Sequence, residues 1–271
     1  MKRILVHIDA SPRSAVRLAL ARRLAHRHGA ELEAFYGVEP SLVAMPWAGG
    51  EGLAAAAAAL AERDDEQRKR AHTMVEQVAE QHALAWIDGG TAPYWSLLQH
   101  AMYTDLLVLG QPDEQDSLTG PLPPELVANS IMDTGKPALV VPAAGTFEAI
   151  PSRILVAWKP TRESARAVTA ALPWLRQAAA IALATREDEG EADSLARLAH
   201  WLQLQGVSAP VRQHRLGEGE VGEALLQMAA RTEAELLVMG CYGHSRAREW
   251  VLGGASHTVL RGMTLPVLMV H

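Results

Sequence analysis

The chain has 271 residues, 49% hydrophobic and 21% charged, with a net charge of −6. That length suits about two domains, each with a core of its own. The negative balance, and the lack of any run near the ~20 apolar residues of a membrane helix, argue against a nucleic-acid or membrane protein. The single cysteine, Cys241, excludes an intrachain disulfide, and the apolar run after Met1-Lys2-Arg3 is too short for a signal peptide. The expected compartment is the cytoplasm.

Ile4–Ile8 reads as a strand, followed by Ser11 at an N-cap and Val16, Leu20 and Leu24 at helical spacing. Glu31–Val38 is a second strand. A segment at Ser41–Leu60, with Pro46, Gly49, Gly50 and an alanine run, reads as a loop leading into an extended helix and assigns itself no role. An amphipathic helix follows over 62–82, then a strand at Ala85–Ile87, a helix at Ser96–Tyr103, and strands at Leu106–Leu109 and Ala138–Val141. Ala143–Ser152, with Gly145 and Pro151, reads as a linker. The order then recurs. Strands are expected at Ile154–Trp158, Ile181–Ala184, Val211–Arg215, Leu236–Met239 and Val267–Val270. Helices are expected at Ser164–Leu175, Ala192–Gln205 and Val221–Ala230.

Three blocks match in the same order. Ile4-Leu5-Val6 to Ser14 returns as Ile154-Leu155-Val156 to Ser164; Asp105 to Gly110 returns as Glu235 to Gly240; Lys136 to Pro142 returns as Leu265 to His271. The chain is an internal duplication, with expected domains at 1–143 and 152–271. Apolar strands alternating with helices predict an α/β fold: two open, five-stranded parallel sheets, each flanked by helices on both faces.

The repeats differ where chemistry is expected. In an open α/β sheet, ligands bind beyond the carboxyl ends of the strands. There the second repeat carries Gly240-Cys241-Tyr242-Gly243-His244-Ser245-Arg246, and then Gly253-Gly254 before Ala255-Ser256-His257. Glycines let backbone approach a ligand, and free N–H groups at a helix start favour an anion. Gly240, Gly243, Gly253, Gly254 and Ala255 are therefore candidates for a triphosphate cradle. His244, Ser245, Arg246 and Arg248 flank it; turn-forming glycines and a solvated loop are the alternative.

Gly240-x2-Gly243-x9-Gly253, after an apolar strand and before Pro266-Val267-Leu268-Met269-Val270, resembles the universal stress protein family, across nearly the whole chain. The resemblance implies a Rossmann-like, adenine nucleotide alpha hydrolase-like fold, with two domains paired about a pseudo-two-fold through Ala138–Val141 and Val267–Val270. It also implies a motif that wraps the phosphates of ATP. Mg²⁺ would arrive only with ATP, on its phosphates.

Two departures follow from that likeness. The family places Ser or Thr directly after the third glycine, where this chain has Gly254. Ser256 supplies a hydroxyl nearby, either as a ligand or as a helix cap. The family also places an acid at the end of the first strand to contact the nucleoside; the first repeat has Asp9, the second has Lys159. Lysine accepts no hydrogen bond, though it can reach a phosphate. Trp158 beside it is a base-stacking candidate or a core residue. In the first repeat Pro124-Glu125 replaces the glycine pair, and Gln111-Pro112-Asp113 replaces the glycine loop, so no triphosphate is expected there. Asp9 is left as a relic, a helix-entry cap or part of an interface. Cys241 is either a stabilised thiolate or inert. No metal spacing and no catalytic base are readable.

The expected function is a stress-response sensor or switch binding ATP or a related nucleotide in its second domain. The alternatives are an interaction module that binds no nucleotide, and a slow ATPase or self-phosphorylating protein. Beyond the nucleotide, the expected partners are the two domains for each other, a second copy in a homodimer, and proteins that the sequence does not identify.

Overall fold

The computed structural model describes residues 1–43, 53–79, 84–112, 125–186, 193–242 and 254–271. These form two compact units: Met1–Thr134 with Thr146–Glu148, and Gly135–Gly145 with Ala149–His271. The stretch read as a linker is thus shared between them. Within unit 1, the Arg23 side chain donates to the Glu148 carbonyl at 2.6 Å.

Unit 1 runs β1 (Arg3–Ile8), α1 (Pro12–His28), β2 (Glu31–Tyr36), α2 (Leu53–Ala79), β3 (Leu84–Asp88), α3 (Pro93–Ala101), β4 (Leu106–Gly110) and α4 (Leu126–Thr134). Its parallel sheet has the order β3-β2-β1-β4. Apolar strands buried along most of their length, such as Ile4-Leu5-Val6 and Leu106-Leu107-Val108, sit at its centre. Helix α1 ends at Gly29, whose φ of 57° lets its N–H turn back to the Ala25 and His26 carbonyls. Helix α2 begins at Leu53, nine residues before the expected start, because the alanine run forms its opening turns.

Unit 2 contains β5 (Ala138–Val141), β6 (Arg153–Ala157), α5 (Arg162–Leu175), β7 (Ala180–Arg186), α6 (Ser194–Leu204), β8 (Val211–Leu216), α7 (Val221–Arg231), β9 (Leu236–Gly240), α8 (Ala255–Gly262) and β10 (Val267–Val270). The strand order is β5-β10-β9-β6-β7-β8. Five of these are parallel, and β5 runs antiparallel to β10 with Val140 opposite Val267 and Leu139 opposite Leu268. The strand pair expected from the repeat ends is therefore formed. No helix among the described residues is long and apolar enough to cross a membrane.

An acid fastens the central strands of each unit. Asp105, just before β4, accepts hydrogen bonds from the Lys2 and Arg3 N–H groups at the start of β1. Its counterpart Glu235, before β9, accepts from the Ser152 N–H and hydroxyl at 2.7 and 3.0 Å and from the Arg153 N–H at 3.2 Å. It also pairs with the Arg153 guanidinium at 2.9 Å. Burial pushes the Glu235 carboxyl up, but these partners hold it below its ordinary value. Glu235→Ala, which leaves the Ser152 and Arg153 donors short of an acceptor, is expected to cost about 1–3 kcal/mol, read as a lower urea midpoint for unit 2.

Candidate functional site

Both units share a strand order that reverses direction beside the central strand, leaving a crevice at the carboxyl ends of β1 and β4 in unit 1 and of β6 and β9 in unit 2. A glycine ends the last-named strand in each, Gly110 and Gly240.

In unit 1 the crevice is filled from within. Asp9 is 1% exposed and Arg17, reaching over from α1, is 5% exposed. The two form an ion pair at 2.5 Å. Asp9 also accepts from the Ser11 N–H and the Ser14 hydroxyl, each at 2.8 Å, while Arg17 donates to the His7 carbonyl at 3.2 Å. A Cβ placed on Gly110 would lie 2.3 Å from the Arg17 guanidinium. Burial pushes the Asp9 carboxyl up, but the Arg17 charge and the Ser11 and Ser14 hydrogen bonds outweigh it and hold the pKa at about 2, against an ordinary 3.8. The residue that a nucleoside would contact in the family pattern is thus committed to an internal cation. Asp9 is therefore a buried ion-pair partner, a role outside its three readings, and the N-cap of α1 is Ser11. Glu125 directly precedes α4, so a carboxylate stands at that helix entry.

Unit 2 has Lys159 where unit 1 has Asp9, and Ala167 where unit 1 has Arg17. Without the guanidinium, α5 settles directly on the strand end. A Cβ on Gly240 would lie 2.5 Å from the Ser164 nitrogen and 2.6 Å from the Glu163 carbonyl carbon. Gly240 therefore serves the packing of a helix N-terminus. Thr161 caps that helix by accepting from the Ser164 N–H at 3.4 Å. Lys159 is exposed beside it, and Glu163 is buried with Arg162 donating to it at 2.5 Å.

Beyond Gly240 the backbone of Cys241 is fixed on both sides. Its N–H donates to the Val270 carbonyl at 2.9 Å, and its carbonyl accepts from His271 Nδ1 at 3.2 Å. The Cys241 side chain is buried, which favours the inert reading of the thiol. Tyr242 then takes φ 56°, a left-handed conformation that costs a non-glycine residue about 1–3 kcal/mol. Its N–H donates to Ser256 Oγ at 3.4 Å. Ser256, 4% exposed, lies one residue inside α8, and the N-cap position belongs to Gly254. The helix-cap reading of Ser256 is thereby corrected: its hydroxyl ties the start of α8 to the loop leaving β9. Gly254, Ala255 and Ser256 are brought to that loop, whereas Gly243, His244, Ser245, Arg246, Arg248 and Gly253 lie outside the described residues. No group of His, Cys, Asp or Glu among the described residues is placed to hold a metal ion.

Trp158 leaves the end of β6 in another direction. With Pro160, Ala165, Val168 and Thr169 it forms one wall of a cleft of about 490 Å³. Ser194, Arg197, Leu198 and Trp201 of α6 form the other. Sequence reading missed this cleft and the role of Arg17. The available signals were the i, i+3, i+4, i+7 spacing of Ser194, Arg197, Leu198 and Trp201, and an arginine set among Ser14, Leu18 and Ala21 on the buried face of α1.

The sequence pattern of the Universal stress protein family matches residues 1–114 and 157–271, and the chain belongs to that family. No curated protein matches it. Among solved structures, a universal stress protein from Archaeoglobus fulgidus DSM 4304 is similar over 99% of this chain and 95% of its own, with 16% identity and a TM-score of 0.70. A putative universal stress protein from Pseudomonas aeruginosa UCBPP-PA14 is similar over 100% and 93%, with 13% identity and a TM-score of 0.56. At these identities the likeness is one of fold.

Arg17→Met leaves a buried carboxylate without its cation and is expected to cost about 3–5 kcal/mol, most of it recovered in Asp9→Asn/Arg17→Met. The pH dependence follows from the depressed Asp9 pKa. The stabilisation is fully present above 3.8 and is lost as pH falls toward about 2. In Arg17→Met the unpaired carboxyl is pushed upward instead, so its contribution to the slope reverses sign. Urea titrations between pH 2 and 7 read both effects. Gly240→Ala drives a methyl group into the α5 backbone and should lower unit 2 stability by about 1–3 kcal/mol, seen in thermal unfolding.

Proposed function

We propose that this member of the universal stress protein family binds ATP or a related nucleotide at the crevice of unit 2 and acts as a sensor or switch. The observation that carries the reading is the hydrogen bond between the Tyr242 N–H and Ser256 Oγ, which draws the loop after β9 and the start of α8 to one point. Free N–H groups at Gly254 and Ala255 would face a phosphate there, with the helix dipole behind them. Lys159, exposed at the exit of β6, supplies a cation that can reach a phosphate but accepts no hydrogen bond from a ribose. Recognition therefore centres on the phosphates, and Mg²⁺ would ride on them. A single, buried cysteine suits a reducing cytoplasm. No residue is assigned as a catalytic base.

A protein-interaction role without nucleotide is the second reading. It is favoured by Val43 and Trp95, 66% and 68% exposed, on the rim of a cleft of about 300 Å³ in unit 1.

The test is native mass spectrometry of the purified chain, then calorimetric titration with ATP and Mg²⁺. One nucleotide per chain is expected, since the Asp9–Arg17 pair fills the other crevice, and Gly253→Val should abolish binding without unfolding. No bound nucleotide and no heat at millimolar ATP would sink the first reading in favour of the second. Unchanged affinity in Gly253→Val would refute the glycine cradle.

A further inference from the structure

We propose that the cleft between α5 and α6 of unit 2 is a second small-molecule site, taking a flat aromatic acid. The inference does not rest on the nucleotide reading. A volume of about 490 Å³ falls within the usual range of roughly 300–1,000 Å³ for ligand pockets. Two facing helical stripes build it: Ala165, Val168 and Thr169 at i, i+3, i+4 on α5, and Ser194, Arg197, Leu198 and Trp201 at i, i+3, i+4, i+7 on α6. Trp158 and Trp201 supply flat apolar surface with little conformational freedom to lose, which suits an aromatic ring.

The polar groups decide the sign of the ligand. Among the described residues, Arg197 is the one charged residue of the lining; it is exposed and forms no ion pair with any of them. The indole N–H of Trp158 and the hydroxyl of Ser194 are shut off from solvent and have no hydrogen-bond partner among the described residues. Unpaired buried donors are a standing cost that an acceptor relieves. The Thr169 hydroxyl already donates to the Ala165 carbonyl of its own helix at 2.9 Å. A guanidinium and an indole N–H can only donate. The complementary ligand therefore presents acceptors, and beside Arg197 these are best ionised: a carboxylate or sulfonate on an aromatic body.

The experiment titrates the full chain with 2-naphthoate by calorimetry, using neutral 2-naphthylmethanol as the charge control. The indole N–H signals of Trp158 and Trp201 are followed by NMR, assigned with Trp158→Phe and Trp201→Phe. The expected result is one 2-naphthoate per chain, with both indole signals shifted. Binding should weaken about tenfold or more for the neutral analogue and for Arg197→Met, the loss of one charge-assisted contact. It should be lost when Val168→Trp fills the cleft. Arg197→Met changes an exposed side chain, so the test stands even if Val168→Trp fails to fold. Gly253→Val should leave naphthoate binding intact, which separates this site from the nucleotide crevice. Silence at millimolar 2-naphthoate overturns the proposal, as does equal affinity for the neutral analogue or unchanged affinity in Arg197→Met.

Discussion

A glycine closes the fourth strand of each repeat, and the space that a side chain would occupy there is already taken. Over Gly110 it is taken by the guanidinium of Arg17, and over Gly240 by the backbone at the start of α5. The helix that follows the first strand must cross the strand end at close range in either case. The difference lies in what is wedged beneath it. In unit 1 a buried cation is paired with a buried carboxylate, and the cost of taking both from water is offset by their contact and by hydrogen bonds from Ser11 and Ser14. In unit 2 the wedge is absent, the helix sits on the strand, and the charge at the first strand's exit is a lysine turned to solvent. One substitution pair, Asp9/Arg17 against Lys159/Ala167, thus separates a crevice sealed by its own side chains from one whose charge at the strand exit faces outward.

The same contrast explains what was legible in the sequence. Strands such as Leu106–Gly110 and Leu236–Gly240 are apolar throughout, so their place in a two-face-covered sheet can be read from composition alone. The duplication was equally plain, because Asp105 and Glu235 occupy matching positions and do the same work at the start of the central strands. Arg17 was legible only in part. Its place among Ser14, Leu18 and Ala21 sets it on the buried face of α1, but its partner Asp9, eight residues earlier, is known only from the three-dimensional approach. The cap reading of Ser256 failed for a different reason. A serine near a helix start is most often a cap, yet here Gly254 takes that position and the hydroxyl turns to a different chain segment. The neighbours of Trp158 were not legible either, since those that complete its cleft come from α6, far along the chain.

At least one glycine of the pattern in unit 2 has a packing duty. Gly240 is required by the α5 backbone whether or not any ligand binds, so its presence alone is weak testimony for a phosphate site. Better testimony comes from the convergence beyond it. Cys241 is held by Val270 and His271, Tyr242 is held in a left-handed turn, and Ser256 joins that turn to α8. A non-glycine residue keeps such a conformation only where its surroundings over-determine it. Cys241 and Tyr242 therefore leave β9 along a fixed course.

Helix α5 stands at the meeting of these features. It packs against β6, β9 and β10, its first turn is pressed onto Gly240, and its cap at Thr161 is satisfied. Its Val168 face is consequently the fixed wall of the α5–α6 cleft. Helix α6 packs on β7 and buries Leu195, Leu198 and Leu202. It carries Ser194, Arg197 and Trp201 on the other wall of the cleft. The polar groups that would recognise a ligand are thus chiefly on α6, and the apolar surface against which it would rest is chiefly on α5.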